Sequence, residues 1–357
     1  MKSLMRSRQY LLLLNTKWNY WDITNGGTTW VDTGVTLASG GYAWCLANFG
    51  GGIVCCGTRG TEEYPGGIWR STDYGVNWTN LGSQFGAWIV YAMISLGNGI
   101  GLAGLQQGAG TDHIIRTTDY GATWTDLGIV YEYDEVSAGQ VQCFADFGSG
   151  IVVAGTYPGG FLFRSTNYGL TWSVWGRLNW PTVNRIEAMI GLGGGKGLLA
   201  TITTDNLNTD IYKTADYGVT WTYVTTWTNY NWTLHFCDLG NGIVLTGANR
   251  TVDIGGAASM MRSTNDGDTW TNLGEVAPTE ECFFGFAHLG SGAVVSGTDI
   301  HGHIIRSTDY GLTWTDLGQQ GGQWTSAILD IVHLGNNICI ACTENSVLNG
   351  RILRSTY

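Results

Sequence analysis

One short motif recurs along the whole chain and constrains its fold more than any other feature. Its fullest copy runs from Arg306 to Gly318, and a further copy begins at Arg354 but stops at the last residue, Tyr357. Every complete copy has a central Asp or Asn, a Gly two residues later and a Trp five residues later. The central residues lie 44 to 49 residues apart, at Asn25, Asp73, Asp119, Asn167, Asp216, Asn265 and Asp309. Such a period predicts an array of one repeated supersecondary unit, in which the most regular residues are structural.

Each period contains four short apolar runs that are separated by turns rich in Gly and Asn. In the third full period, the runs are Gln142–Phe147, Ile151–Thr156, Phe161–Ser165 and Thr171–Val174. Their length and their β-branched and aromatic content predict strands, and no segment keeps the 3.6-residue period of a helix. Four antiparallel strands in a period of this length are typical of a β-propeller blade, whereas the repeats of a β-solenoid are usually much shorter.

The motif resembles the Asp-box of bacterial-neuraminidase-like (BNR) repeats, and the resemblance covers almost the whole chain. Families that carry this box include sialidases, xyloglucan-cleaving glycoside hydrolases, sortilin-type receptors and a photosystem assembly factor. The resemblance therefore implies a propeller fold without implying one activity. It also implies that each box lies at the turn between the third and fourth strands, away from the face that binds ligands. A looser resemblance to propellers from environmental and phage-type sequences implies a host-attachment or virion-associated role, and it favours an extracellular or virion-surface location.

The spacing of the boxes predicts the number of blades and the way the ring closes. The span from Asn25 to Tyr357 contains seven intervals, which predicts seven blades. The last period has candidate strands at Ile328–His333, Ile338–Thr343 and Arg351–Ser355 but no fourth strand. We expect Thr28–Thr33, which has no complete blade before it, to supply the missing outer strand and close the ring. The predicted domains are an N-terminal arm at 1–22 and a single propeller at 23–357.

Charge and cysteine content exclude several classes of partner and site. The formal net charge is −11, from 17 basic and 28 acidic residues, and the basic residues form no stripe, so nucleic acid and anionic membranes are not expected partners. No run reaches the ~20 apolar residues of a membrane helix, and no clear signal peptide is present. The eight cysteines mostly align with small apolar residues of other repeats, which predicts buried thiols; a bond between Cys45 and Cys56 across a hairpin stays open. No cofactor is predicted.

Function is expected where the repeats differ, in the loops between strands two and three and between one blade and the next. We call the face where these loops are expected to gather the variable face. Its loops are rich in aromatic residues, which suit carbohydrate because a sugar ring stacks on Trp or Tyr while its hydroxyls bond to polar groups. About half of the large aromatic residues in these loops are expected to be buried between blades instead. The predicted ligand-binding residues are Trp88, Tyr131, Tyr133, Trp175, Trp180, Trp227, Tyr230, Trp232, Trp324, Arg185 and Arg250.

No catalytic residue or metal site is predicted. Glycoside hydrolysis needs two carboxyl groups about 5–10 Å apart, one of them protonated. Two acidic clusters are candidates, but a solvated loop explains each of them: Glu132, Asp134 and Glu135 in one, and Glu280 and Glu281 in the other. The arginine triad with which a sialidase grips a carboxylate is not evident. His301 and His303 lie near Asp299, but no third metal ligand accompanies them.

The sequence therefore predicts a non-enzymatic recognition module that binds glycans through the aromatic loops of the variable face. The first alternative is a sialidase-like glycoside hydrolase. The second is a protein-binding scaffold that docks through residues 1–22.

Overall fold

The computed structural model describes residues 26–35, 37, 41–60, 63–107, 111–129, 132–133, 136–137, 139–178, 182–233, 235–250, 258–277, 279–320, 325–345 and 350–356. Throughout these ranges the chain forms strands and turns and contains no α-helix, which confirms the predicted all-β class. In this described part, no helix is long and apolar enough to cross a membrane.

The strands form antiparallel sheets that follow one another along the chain. Strand β1 (Thr29–Asp32) comes first and belongs to the last sheet. The next sheet contains β2 (Tyr42–Gly50), β3 (Ile53–Arg59), β4 (Ile68–Ser71) and β5 (Thr79–Asn80). It continues, through the single pair Arg59–Ile89, into β6 (Ile89–Gly97), β7 (Ile100–Gln107), β8 (Thr111–Thr117) and β9 (Thr125–Ile129). A short hairpin follows, made of β10 (Glu132–Tyr133) and β11 (Val136–Ser137).

The middle of the chain repeats this arrangement. One four-stranded sheet contains β12 (Gln140–Asp146), β13 (Val152–Tyr157), β14 (Phe161–Ser165) and β15 (Ser173–Arg177). Another contains β16 (Val183–Gly193), β17 (Lys196–Thr203), β18 (Asn208–Thr214) and β19 (Thr222–Thr228). In the next sheet, two short strands pair with opposite ends of a longer one, and the members are β20 (Tyr230–Trp232), β21 (Phe236–Gly240), β22 (Ile243–Arg250), β23 (Ser259–Ser263) and β24 (Thr271–Asn272).

The last two sheets complete the architecture. The first of them contains β25 (Phe283–Gly290), β26 (Ala293–Thr298), β27 (His303–Ser307) and β28 (Thr315–Gln319). The second contains β29 (Thr325–His333), β30 (Cys339–Asn345) and β31 (Ile352–Thr356), and β1 is its fourth strand. Thr29 pairs with Thr356 and Asp32 with Leu353, so the outer strand of the C-terminal sheet comes from the N-terminal end of the described chain.

The hydrophobic core lies between neighbouring sheets. Leu102 and Ile114 of the β6–β9 sheet pack with Phe144 and Phe163 of the β12–β15 sheet, and all four side chains are buried. An equivalent cluster joins the last sheet to the first: Ile340 and Ile352 pack with Leu46, Val54 and Cys56. Burial of apolar surface, at roughly 25 cal/mol per Å², therefore holds successive sheets together face to face.

The Asp-box turns fasten each sheet to the sheet before it. In the box of Asp119, the carboxylate accepts hydrogen bonds from the N–H of Thr123 (2.9 Å) and from the hydroxyls of Thr117 (2.8 Å) and Thr123 (2.6 Å). Gly121 has a φ of +76°, and a Cβ atom there would lie 2.4 Å from the Sγ atom of Cys55 in the preceding sheet. Glycine therefore supplies both the left-handed conformation and the space for close packing.

A basic side chain on the third strand of each sheet bonds to the next box. Arg70 on β4, for example, donates from Nε to the carbonyl oxygen of Tyr120 at 2.8 Å. The equivalent arginine bonds are Arg116 to Tyr168, Arg164 to Tyr217, Arg262 to Tyr310, Arg306 to Gly26 and Arg354 to Tyr74, and Lys213 pairs with Asp268 in the corresponding place. The Arg354–Tyr74 bond joins β31 of the last sheet to the box between β4 and β5 of the first.

All eight cysteines are free thiols, and all except the half-buried Cys143 are buried. Cys45 and Cys56 are not bonded to each other, because the strand register places Cys45 opposite Gly57 and Cys56 opposite Leu46. Burial raises the pKa of these thiols; that of Cys55, for instance, rises to about 12. The thiols therefore behave as small apolar side chains in the core.

Candidate ligand-binding face

Backbone hydrogen bonds divide the sheet edges into two faces. On one face, the box turns meet the turns between the first and second strands: the N–H of Tyr120 donates to the carbonyl of Gly99 at 2.9 Å, and equivalent bonds form at other boxes. On the other face, the loops between strands two and three meet the loops between sheets. The carbonyl of Trp88 accepts bonds from the N–H groups of Gly60 (2.8 Å) and Gly66 (3.0 Å). The loops in which the repeats differ therefore gather at the edge opposite the Asp-boxes, and this edge is the variable face.

The first strand of most sheets has a register shift a few residues in from the variable face. A β-bulge leaves one residue unpaired and re-aims its side chain. The residues at these shifts are Trp44 in β2, Tyr91 in β6, Gln142 in β12, Glu187 in β16, Phe284 and Gly285 in β25, and Leu329 in β29. Because the bulges recur at the same place in the first strand, they create a set of equivalent positions close to the variable face.

Two of these side chains take part in a cation–aromatic cluster that we call the Arg59 cluster, consisting of Arg59, Trp44 and Tyr91. The Cζ atom of Arg59 lies 5.4 Å from the ring centroid of Trp44, and the rings of Trp44 and Tyr91 meet edge to face at 5.9 Å. Stacking over an aromatic face is favourable for a guanidinium group, and it leaves the in-plane N–H donors available to other acceptors.

A shallow pocket adjoins the Arg59 cluster on the β2–β5 sheet. Arg59 lines it together with Tyr64, Trp69 and Asn80. The side chain of Tyr64 is 43% exposed. The pocket thus combines aromatic rings with a guanidinium and an amide group, which is the chemistry expected of a site for a polyhydroxylated ligand.

A second charged cluster contains the predicted residue Arg185. Its Cζ atom lies 4.1 Å from the ring centroid of Tyr157, and its Nη1 donates to Oε2 of Glu187 at 3.1 Å. Burial raises the pKa of Glu187, and the neighbouring Arg185 only partly opposes that rise. In the preceding sheet, at the equivalent bulge, Nε2 of Gln142 is buried without a hydrogen-bond partner. Arg185 is half-buried, and its guanidinium group is hydrogen-bonded to the carboxylate of Glu187.

Three other predicted aromatic residues lie on or near the variable face, in different environments. Trp232, on β20, is 42% exposed. Trp88 is half-buried, and its backbone anchors the loop between β3 and β4. Tyr230 is also half-buried, and its hydroxyl is hydrogen-bonded to Oγ of Ser259 at 3.0 Å. The structure therefore leaves Trp232 as the most exposed of these three rings.

Two of the predicted tryptophans lie in strands rather than in loops. Trp227 is buried, because β19 directs its ring toward the next sheet, where it meets the box residue Trp270 edge to face at 5.4 Å. Trp175 is 38% exposed, but it lies in β15 and its indole N–H donates to the carbonyl of Val219 in the neighbouring box turn. Neither ring belongs to the loops of the variable face.

The remaining predicted positions lie outside what the structure describes. These are residues 1–22, Asn25, Tyr131, Trp180 and Trp324, the acidic pair Asp134 and Glu135, and the side chains of Glu132, Tyr133 and Arg250. Of the second acidic cluster, Glu281 is exposed, whereas Glu280 is fully buried and hydrogen-bonded to Thr298 and His301. Among the described residues, no group of three or more His, Cys, Asp or Glu side chains is arranged to hold a metal ion.

Sequence reasoning missed residues that sit in strands, since it looked for ligands in loops. Trp44, Trp69, Gln142 and Glu187 were not predicted as ligand residues. A signal for three of them is present, because Trp44, Gln142 and Glu187 occupy one equivalent position that varies between repeats although its neighbours stay small and apolar. Variation at a fixed strand position marks a side chain that the repeated core does not need.

Comparison with known proteins supports the fold and the repeat. The model of the BNR-Asp box repeat matches residues 68–81, which contain β4, the box of Asp73 and β5. No curated protein matches the sequence.

Similar solved structures are propellers of low sequence identity. The structure of YCF48 bound to D1 peptide is 14% identical, with a TM-score of 0.66, over 92% of this chain and 97% of that one. The GH74 enzyme of Niastella koreensis is 18% identical, with a TM-score of 0.64, over 89% of this chain and 53% of the enzyme. A Hadza microbial sialidase is 16% identical, with a TM-score of 0.53, over 89% of this chain and 66% of the sialidase. The chain spans about half of the GH74 enzyme and two thirds of the sialidase. Likeness at these identities shows the fold alone, a β-propeller, and the family match adds a BNR-Asp box repeat at residues 68–81.

Proposed function

We propose that this protein is a non-enzymatic recognition module that binds glycans on its variable face. The observation that carries the proposal is the pocket beside the Arg59 cluster, in which exposed Tyr64 lies with Trp69, Asn80 and Arg59. An aromatic face stacks on the C–H face of a sugar ring, and the guanidinium and amide groups bond to its hydroxyls. Trp232 supplies a second exposed ring on the same face.

The proposal includes a closed ring of seven blades, because a rigid ring holds the loops of the variable face in fixed positions. Three contacts support the closed ring, because each joins the last sheet either to β1 or to the first sheet. These are the pairing of β1 with β31, the Arg354–Tyr74 hydrogen bond at 2.8 Å, and the packing of Ile340 against Leu46 and Val54.

The test is a glycan-array screen followed by affinity measurements on matched variants. We expect Tyr64→Ala and Trp232→Ala each to weaken binding of the selected glycan by about 2- to 12-fold, since one stacked aromatic pair contributes roughly 0.5–1.5 kcal/mol. The controls are Tyr223→Ala, whose ring is 53% exposed on outer strand β19, and Trp175→Ala, whose ring is 38% exposed in β15. Binding that survives both test substitutions, or that both controls weaken equally, would refute this placement of the site.

Peptide recognition is the second candidate function. It is favoured by the similarity over nearly the full length of both chains to YCF48, a propeller whose structure was solved with a peptide bound. A blank glycan array together with loss of a captured protein partner on deletion of residues 1–22 would establish the scaffold function in place of glycan binding.

Glycoside hydrolysis is separated from recognition by following the bound glycan over time. Burial raises the pKa of Glu187, as it does those of Asp299, Asp330 and Glu344, and so favours the protonated form that a general acid needs. We expect the bound glycan to stay intact. Release of new reducing ends by the wild type, with none released by Glu187→Gln of unchanged circular dichroism, would replace the proposed function with hydrolysis.

A further inference from the structure

Two histidines lie at the variable face: His301 in the loop between β26 and β27, and His303 as the first residue of β27. The Oδ1 atom of Asp299 accepts hydrogen bonds from the N–H groups of Glu281 (3.0 Å) and Cys282 (2.8 Å), and its carbonyl accepts one from His301 (2.6 Å). These bonds tie the loop to the preceding inter-sheet loop. His301 in this loop and His303 at the start of β27 are therefore carried by a fixed backbone.

Each of the two imidazoles is bonded to a carboxylate through the same nitrogen. Nδ1 of His301 lies 2.8 Å from Oε1 of Glu280, and Nδ1 of His303 lies 2.9 Å from Oδ2 of Asp316. When Nδ1–H donates to a carboxylate, Nε2 keeps its lone pair. A carboxylate on the far nitrogen is the usual outer partner of a metal-binding histidine, since it fixes the tautomer and increases the basicity of the ligand.

The two rings stand at a distance that suits one shared ion. Their centroids are 5.8 Å apart, with an angle of 53° between the ring planes. A tetrahedral metal ion at about 2.0–2.1 Å from both Nε2 atoms requires centroids about 5 Å apart. The difference is within the reach of a small side-chain rotation, and the half-exposed ring of His301 has room to make it.

The buried carboxyl group of Glu280 points to the same site. Its side chain is fully buried and accepts hydrogen bonds from the hydroxyls of Thr298 (2.7 Å) and Thr279 (3.2 Å). Within the described part of the chain, His301 is the only side chain at ion-pair distance from it. A buried carboxylate is costly unless a positive charge compensates it, and a histidine that carries a divalent cation supplies that charge.

We propose that His301 and His303 bind one divalent transition-metal ion of the zinc class through their Nε2 atoms, with Glu280 and Asp316 as the carboxylates that orient them. Water or an exogenous ligand completes the coordination. Imidazole nitrogen is a preferred donor for zinc, copper and nickel, which decides the class of ion.

The chain contains a matched control for this site. His113 on β8 bonds through Nδ1 to Asp126 at 2.7 Å, just as His303 bonds to Asp316, but among the described residues the only paired histidine rings are those of His301 and His303. Loss of His113 removes the same histidine–aspartate pair from another sheet. His113→Ala therefore measures how the loss of one histidine–aspartate pair affects zinc binding when no second imidazole is involved.

The experiment is a calorimetric titration of the untagged, chelator-treated protein with zinc chloride in a non-coordinating buffer. We expect one ion per chain in the wild type and in His113→Ala. Affinity should fall by at least about tenfold in His301→Ala and in His303→Ala, and by about 10–100-fold in Glu280→Gln, the usual cost of losing an outer carboxylate.

Two results would overturn the proposal: no binding of zinc by the folded wild type, or equal binding by the wild type and both histidine variants. Circular dichroism checks that each variant is folded. His301 is half-exposed on a surface loop, so His301→Ala decides the question even if the buried Glu280→Gln variant does not fold.

Discussion

The Asp-box of Asp119 offers a sharp test of what the repeated motif does. Its carboxylate accepts three hydrogen bonds, two from Thr123 and one from the hydroxyl of Thr117. The substitution Asp119→Ala removes all three at once and leaves the box glycine and tryptophan in place. The turn is only partly buried, so water replaces some of the lost bonds.

The expected cost follows from that count. A hydrogen bond to a charged group contributes roughly 1.5–3 kcal/mol when protected, and a neutral one about 1 kcal/mol. With partial replacement by water, we expect Asp119→Ala to lower the free energy of unfolding by about 2–3 kcal/mol. Urea denaturation followed by tryptophan fluorescence measures this loss.

Asp119→Asn is the matched control, because the chain already uses Asn in this position. In the box of Asn167, Oδ1 keeps the bond from the N–H of Thr171, and Nδ2 donates to the hydroxyl of Thr171 at 2.8 Å, so that hydroxyl simply changes from donor to acceptor. We expect Asp119→Asn to cost under about 1 kcal/mol near neutral pH. Equal stability of the Ala and Asn variants would refute the argument that these hydrogen bonds stabilise the turn.

The difference in stability between the wild type and Asp119→Asn should depend on pH. Burial raises the pKa of Asp119, but the hydrogen bonds from Thr123 and Thr117 outweigh it, and the pKa is lowered overall. A carboxyl group with a lowered folded pKa contributes stability above its unfolded pKa of about 3.9, and this contribution is lost as the pH falls through the folded value. The stability difference between wild type and Asp119→Asn should therefore shrink in acid. If this stability difference stayed constant as the pH fell below about 3.9, the lowered pKa assigned to Asp119 would be contradicted.

Three further predictions concern the contacts between sheets and the half-buried His333. Arg354→Ala should lower the free energy of unfolding by about 1–2 kcal/mol, like Arg164→Ala between two internal sheets, and a cost at Arg164 alone would mean an open ring. Gly169→Ala places a Cβ 2.6 Å from a buried leucine at a φ of +73°, so thermal denaturation should show a larger loss than for Gly128→Ala, where φ is +83° and no atom lies within 4 Å. Burial lowers the pKa of His333, so its stabilising contribution is present above the unfolded pKa of about 6.5 and declines as the pH falls through the folded value. In His333→Gln, the melting temperature should fall less between neutral and mildly acidic pH; an unchanged slope would contradict the assignment.

The repeat in the sequence predicted the positions of most of these strands. In the third full period, the predicted Phe161–Ser165 matches β14, and the predicted Gln142–Phe147 overlaps β12, which runs Gln140–Asp146. The fourth strand, predicted at Thr171–Val174, is instead Ser173–Arg177. The shift arises because the box turn continues through Thr171, whose N–H bonds to Asn167, so pairing with the third strand starts only beyond it.

The repeat did not predict which aromatic side chains are exposed. Trp227 and Trp232 lie in one segment of similar composition, yet the first is buried against Trp270 and the second is exposed. The difference depends on which face of a strand meets the next sheet. That sheet comes from a later repeat, so the sequence around Trp227 and Trp232 does not show which face of the strand it covers.

The sequence by itself determined the repeated unit, because a box turn is built from hydrogen bonds between residues at most four positions apart. Only the tertiary structure decided how the units meet and what they present. Arg354 bonds to Tyr74 across 280 positions, Arg59 meets Trp44 across a hairpin, and Glu280 reaches His301 across two strands. These contacts form because packing of whole sheets brings their ends together, and such packing depends on the shapes of the facing sheets rather than on residues close in sequence.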